Sequence, residues 1–189
     1  MIFEEKVKQQ PRSELFRMLL GAAYWDKAEY FKAVDQYQQA VSLDSHSARA
    51  HYLVGSAYLK MGRPAVGETS LREALQLDSD LVAANLLLAD ALMEQGKNQE
   101  ALRVLEKANQ KAPGDVTTQV KLGQLYLDLG KFDDGLSILE NAVRSAPGEK
   151  KAHYLLGRLY AATKRRELAQ KEFSIFKSLE AAEKRNQAK

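Results

Sequence analysis

The sequence predicts an all-α fold, a right-handed α-solenoid of stacked antiparallel helix hairpins. Two observations carry that prediction, a strict 34-residue period and helical apolar spacing that breaks twice in every period. HYLVGSAY begins at residue 51 and HYLLGRLY at residue 153, three periods later. Stepping by 34 from Gly21 meets Gly55, Ala89, Gly123 and Gly157; stepping from Ala33 meets Gly67, Ala101, Gly135 and Ala169. Tyr24 leads to Tyr58, Leu92, Tyr126 and Tyr160, and Ala40 to Ala74, Ala108 and Ala142 before Phe176 breaks the series. Five registers without an insertion decide the architecture before any local propensity does.

The elements follow in chain order. The opening IFEEKVKQQP matches ILENAVRSAP at 138–147, so residues 2–11 read as the second helix of a truncated unit. That fragment is either a half-repeat cap or the trace of an array that continues upstream; the apolar opening favours the second, because a natural first unit is expected to carry a polar face. Full units follow at 14–47, 48–81, 82–115, 116–149 and 150–183, the last with a helix prolonged to about residue 186. In each, the first helix shows apolar residues at helical spacing, as in Leu19, Leu20, Ala23 and Tyr24. Gly62, Gly96 and Gly130 then stand where a helix ends in a left-handed residue. A second amphipathic run follows, for example Ala101, Leu102, Val104, Leu105 and Ala108. Pro113 and Pro147 close two of these second helices, and the pairs Asp44-Ser45 and Asp78-Ser79 close two others. The glycine inside the first helix costs roughly 0.5–1 kcal/mol against alanine, so it needs a packing reason. The small residue of the second helix supplies one if small faces small and the two helices approach closely.

Composition narrows the function classes. Apolar residues make up 45% and charged residues 28%, the proportions of a soluble globular chain. Without cysteine there is no disulfide framework, thiolate zinc site or cysteine nucleophile. The acidic opening MIFEEKVKQQ has no apolar run of the kind a signal peptide needs. LVAANLLLADALM, interrupted by Asn85 and Asp90, is too short to cross a bilayer, so no membrane insertion is expected. The net charge of +3 belongs to the last segment: from Thr163 onward eight basic residues face four acidic ones. A nucleic-acid partner is therefore disfavoured, for want of a basic stripe on the body.

No catalytic motif survives inspection. Gly96-Lys97 and Gly130-Lys131 lack the other residues of a phosphate-binding loop, and neither G-x-S-x-G nor H-E-x-x-H occurs. SIFK at 174–177 stands without the companion motifs that would give it meaning. His51 and His153 share one repeat position three units apart, and His46 sits with Asp44 and Ser45 in a turn, so a metal site or triad is not expected. The expectation is no enzyme, no cofactor and no metal. The tyrosines Tyr24, Tyr58, Tyr126 and Tyr160 read as packing positions.

The units LGAAY/AVDQYQQA, VGSAY/GETSLREA, LADAL/ALRVLEKA, LGQLY/GLSILENA and LGRLY/AQKEFSIF resemble the tetratricopeptide repeat, from residue 14 to about 183. The family's early tryptophan is replaced by Arg17, His51, Asn85, Gln119 and His153. The resemblance implies a superhelix whose first helices line a concave groove. Mapped by register, the groove-lining residues are Met18 and Trp25; Arg49, Tyr52, Ser56 and Lys60; Asp90, Met93 and Glu94; Gln124 and Asp128; and Lys151, Tyr154 and Arg158. Leu59, Leu86 and Leu127 on the same faces read as core between units. The implied activity is a non-enzymatic scaffold that holds a peptide or partner subunit. The carboxylate clamp of the family's chaperone-tail binders is absent, since Met18, Ala22, Tyr52 and Ser56 occupy its positions, so a chaperone C-terminal tail is not the expected ligand. Two rivals remain at this level: self-association through Ile2, Phe3 and Val7, or service as the targeting arm of a larger enzyme or assembly protein.

Overall fold

The computed structural model describes residues 2–187, and among them the ordered elements are helices α1 to α11. These are α1 (Ile2–Gln9), α2 (Glu14–Asp26), α3 (Tyr30–Leu43), α4 (Ala48–Lys60), α5 (Pro64–Leu77) and α6 (Val82–Glu94). They continue with α7 (Asn98–Lys111), α8 (Val116–Asp128), α9 (Phe132–Ser145), α10 (Lys150–Ala162) and α11 (Arg166–Gln187). The chain divides into two compact units at Val104/Leu105. In the first, each helix from α1 to α5 packs on its successor, and α2, α4 and α6 also touch in series. In the second, α8, α9, α10 and α11 pack in succession and α8 touches α10. These skipping contacts join first helices of hairpins, so within each unit those helices share one side.

The turns inside the hairpins are built alike. Gly62, Gly96 and Gly130 adopt φ of 68°, 73° and 71°, and Ala28 and Lys164 take the same left-handed state at 58° and 62°. In all five the residue after this one donates its N–H to the tyrosine or leucine carbonyl five positions back, as in Lys131 to Tyr126 at 2.8 Å. The left-handed residue itself donates three positions back, as in Gly62 to Leu59 at 2.9 Å. These paired bonds satisfy carbonyls that the helix end would otherwise orphan and reverse the chain in three residues.

The glycines within the first helices seat a large side chain, and at Gly55 the small residue anticipated above is met as well. A Cβ on Gly123 would lie 2.4 Å from Leu139 Cγ, on Gly21 2.4 Å from Tyr37 Cε1, and on Gly157 2.7 Å from Phe173 Cε1. Each glycine is a depression that receives one large side chain from the second helix, sixteen residues on. Backbone meets backbone at Gly55 and Gly67, where a Cβ on Gly67 would lie 2.9 Å from Gly55 O. The tight interior follows: Leu71, Leu139 and Leu155 are fully buried, as are Ala33, Ala74, Ala142 and Ala152.

Two polar ladders run through the repeat. Tyr24, Tyr126 and Tyr160 each donate to a glutamate twenty residues earlier, Glu4, Glu106 and Glu140, at 2.9 Å. At the same step Gln38 donates to the Tyr58 hydroxyl, also at 2.9 Å. Burial pushes the Tyr160 phenol up to about 12, with the bond to Glu140 adding to it, and burial with Glu106 raises Tyr126 likewise. The second ladder explains the replaced tryptophan. Arg17 and Gln119 donate to the carbonyls of Pro11 (3.4 Å) and Pro113 (2.7 Å), six residues back. His51 Nε2 and His153 Nε2 hold Ser45 O (3.1 Å) and Pro147 O (3.0 Å) in the same way. Asn85, shorter, donates instead to the carbonyl of Leu81, four residues back at the cap of α6. The other ring nitrogen of His153 meets Glu172 at 2.6 Å, and that of His51 meets Glu73 at 2.9 Å, so both histidines tie a turn to a second helix.

Candidate functional site

The side shared by α2, α4 and α6 carries a cleft of about 430 Å³. Its floor is α4, which contributes Ser56, Leu59 and Lys60; Trp25 of α2 forms one wall, and Leu87, Asp90, Met93 and Glu94 of α6 the other. The small Ser56 side chain leaves the space between the walls open. Trp25 is half-buried and meets the Tyr30 ring edge-on, centroids 5.2 Å apart, which holds the indole upright. Leu59 and Met93 are half-buried, and Lys60 and Glu94 stand exposed at the C-terminal ends of α4 and α6. The arrangement is an apolar trough with a basic and an acidic rim residue. It suits a ligand with apolar side chains.

Six of the residues expected from the sequence therefore meet in one place: Trp25, Ser56, Lys60, Asp90, Met93 and Glu94. Met18, Arg49 and Tyr52 lie on the same helices outside the cleft lining, Met18 and Tyr52 half-buried and Arg49 exposed. Leu59 was assigned to the core; it packs beside Gly67 and lines the cleft as well. Leu87 was missed. Its signal was present, since it lies three residues before Asp90, one turn along a helix that is apolar nearly all round.

In the second unit most of the expected residues are engaged within the chain. Gln124 donates to both oxygens of Asp128, at 2.9 and 3.0 Å. Tyr154, 41% exposed, packs on Phe176 (5.4 Å) and Phe173 (6.2 Å) of α11, and the Arg158 guanidinium lies 6.0 Å over its ring. Lys151 is exposed. Leu127 packs against the core of this unit, as expected of it. Of the N-terminal residues considered for self-association, Val7 is buried, Phe3 is half-buried and Ile2 is 78% exposed. No group of three or more His, Cys, Asp or Glu side chains that could hold a metal occurs among the described residues. No described helix is long and apolar enough to cross a membrane.

Four tetratricopeptide-repeat profiles match the chain, at residues 21–62, 48–81, 68–122 with 92–139, and 120–173. The chain is a tetratricopeptide-repeat protein. No curated protein matches it in sequence. Among solved structures it is similar to a crystal structure of MamA, at 22% identity and a TM-score of 0.80 over 87% of this chain and 96% of that one. A MamA fragment from Desulfovibrio magneticus RS-1 superposes with a TM-score of 0.80 at 20% identity, covering 89% and 96%. YrrB, described as a tetratricopeptide-repeat protein with an unusual peptide-binding site, gives 0.76 at 21% identity over 95% and 92%. At these identities the likeness is one of fold, and the repeat family accounts for it.

Proposed function

We propose that this tetratricopeptide-repeat chain is a non-enzymatic interaction scaffold whose first compact unit, up to Val104, holds a peptide segment of a partner protein in the α2–α4–α6 cleft. On this reading the repeat consists of five units, 14–47 to 150–183, preceded by the half-unit 2–11. The observation that carries the proposal is the convergence of Trp25, Leu59, Leu87 and Met93 on one open trough. Apolar area removed from water stabilises a complex by about 25 cal/mol per Å², and aromatic anchors in such pockets dominate binding energy. Lys60 and Glu94 at the rim give the bound segment a direction. That a neighbour in fold, YrrB, is described as having a peptide-binding site agrees with this use of the architecture.

Trp25 is the single tryptophan, so its emission reports directly on occupancy of the cleft. Titration with a library of capped apolar peptides is expected to shift that emission saturably for a subset of them. Met93→Asp is expected to weaken those peptides at least tenfold, about 1.4 kcal/mol, while Tyr52→Ala, outside the cleft lining, leaves them unchanged. Peptides that bind the wild type and the Met93 variant equally would remove the cleft from consideration.

A further inference from the structure

A second depression, about 490 Å³, lies at the hairpin turns of the first unit and shares no lining residue with the cleft. Tyr30, Phe31 and Met61 supply its apolar surface, and Glu29, Lys32 and Arg63 its charges. Phe31 is 73% exposed. Its counterparts at the 34-residue step are Ala65, Gln99, Asp133 and Glu167, so the fold itself needs no aromatic at this position. A lone exposed apolar side chain is unremarkable. This one is different because it borders a concavity with two further large side chains.

The charges sharpen the assignment. Glu29 and Lys32 neutralise each other at 2.5 Å, and the Lys32 ammonium also lies 5.3 Å over the Tyr24 ring. Arg63 has no hydrogen-bond or ion-pair partner for its side chain among the described residues, whereas its counterpart Lys97 is engaged by Glu68 at 2.9 Å. The depression thus presents apolar surface beside one uncompensated guanidinium. A guanidinium is the group best suited to bidentate recognition of a carboxylate. A polyanion would require a run of cations, and Lys32 is already paired.

We infer that this depression docks a segment of a second protein in which a bulky apolar side chain is followed by an acidic residue. The apolar group packs against Phe31 and Met61, and the carboxylate pairs with Arg63. The lining is separate from that of the cleft, although Tyr30 here packs edge-on against Trp25 there, so this part of the chain offers two adjacent docking points.

The test uses the full chain, ¹⁵N-labelled, and two capped peptides: one with a Leu-Phe pair followed by two aspartates, and one with lysines in place of the aspartates. Phe31→Asp and Arg63→Glu serve as variants, because the equivalent positions already carry Asp133 and Glu29 within the same fold. The acidic peptide is expected to shift amide resonances at 28–32 and 61–63 saturably. Each variant is expected to weaken it at least tenfold at an unchanged thermal midpoint. Equal binding of the lysine peptide, shifts confined to the Trp25–Met93 cleft, or no shift with either peptide would overturn the assignment. So would self-association in sedimentation that is lost in Phe31→Asp, which would make a second copy of the chain the occupant.

Discussion

Ala28 and Lys164 hold left-handed backbone where their counterparts in the middle units are glycines. For a residue with a Cβ that conformation costs roughly 1–2 kcal/mol, offset in part because glycine adds about 0.4–1 kcal/mol of unfolded-state entropy. Ala28→Gly is therefore expected to stabilise the chain by about 0.5–1 kcal/mol, read as a raised denaturant midpoint at constant slope. The need for a left-handed turn was legible at the three glycines. That two units meet it without glycine was not, because the turn's backbone bonds, such as Arg165 to Tyr160 at 2.8 Å, hold the conformation whatever the side chain. The residues under the replaced tryptophan were legible only as a departure from a motif. Their shared task, gripping a carbonyl six residues back, depends on where the preceding turn passes, and no pattern of residue types displays that.

The helices start and stop by local chemistry that differs between the two members of a hairpin. Four of the five first helices carry a side-chain cap, at Ser13, Ser47, Asp115 and Glu149, and α6, whose cap residue is Leu81, has none. The second helices α3, α5 and α9 have none and start directly from the hydrogen-bonded turn. Asp115 does most, accepting from the Thr118 N–H at 2.7 Å and from the fully buried Thr118 hydroxyl at 2.5 Å. Asp115→Ala removes a cap of about 1 kcal/mol and strands a buried hydroxyl at about 1–3 kcal/mol. A loss of about 2–3 kcal/mol is expected by chemical denaturation, with Asp115→Asn, which keeps an acceptor, losing less than half as much. A loss equal in the two variants would show that the acceptor is not what the helix needs. Hairpin boundaries were readable from glycine, proline and Asp-Ser signals. The packing inside a hairpin was not, because periodicity tells which faces are apolar but not which large side chain enters which glycine depression.

At the scale of the whole chain, stability depends on pH through a carboxylate that the fold has nearly enclosed. Burial alone would raise the pKa of Glu68, which is 8% exposed. Lys97 at 2.9 Å, Gln95 at 2.7 Å and Arg72 at 2.9 Å outweigh it and hold the carboxyl below its ordinary value. The folded pKa lies below the unfolded one, so the contribution is fully present above the unfolded value of about 4.3 and fades as pH falls through the folded value. The thermal midpoint of Glu68→Gln is expected to lie below that of the wild type at pH 7, with the gap closing toward pH 3. A gap that stayed constant down to pH 3 would mean that the amide fails for shape and not for charge.

The sequence by itself determined the family, the order of the helices and the faces they bury. All three follow from a 34-residue period acting through short-range rules of helix spacing and turn chemistry, which need no knowledge of distant residues. Only the tertiary structure decided which surface residues work together. Trp25, Ser56 and Met93 meet across three helices, and Tyr154 is taken up by an aromatic cluster with α11. Register places each of these residues on the first-helix face alike. Whether a side chain there stays open to a partner depends on which neighbour from another helix reaches it first, and that is a property of packing distances rather than of sequence pattern.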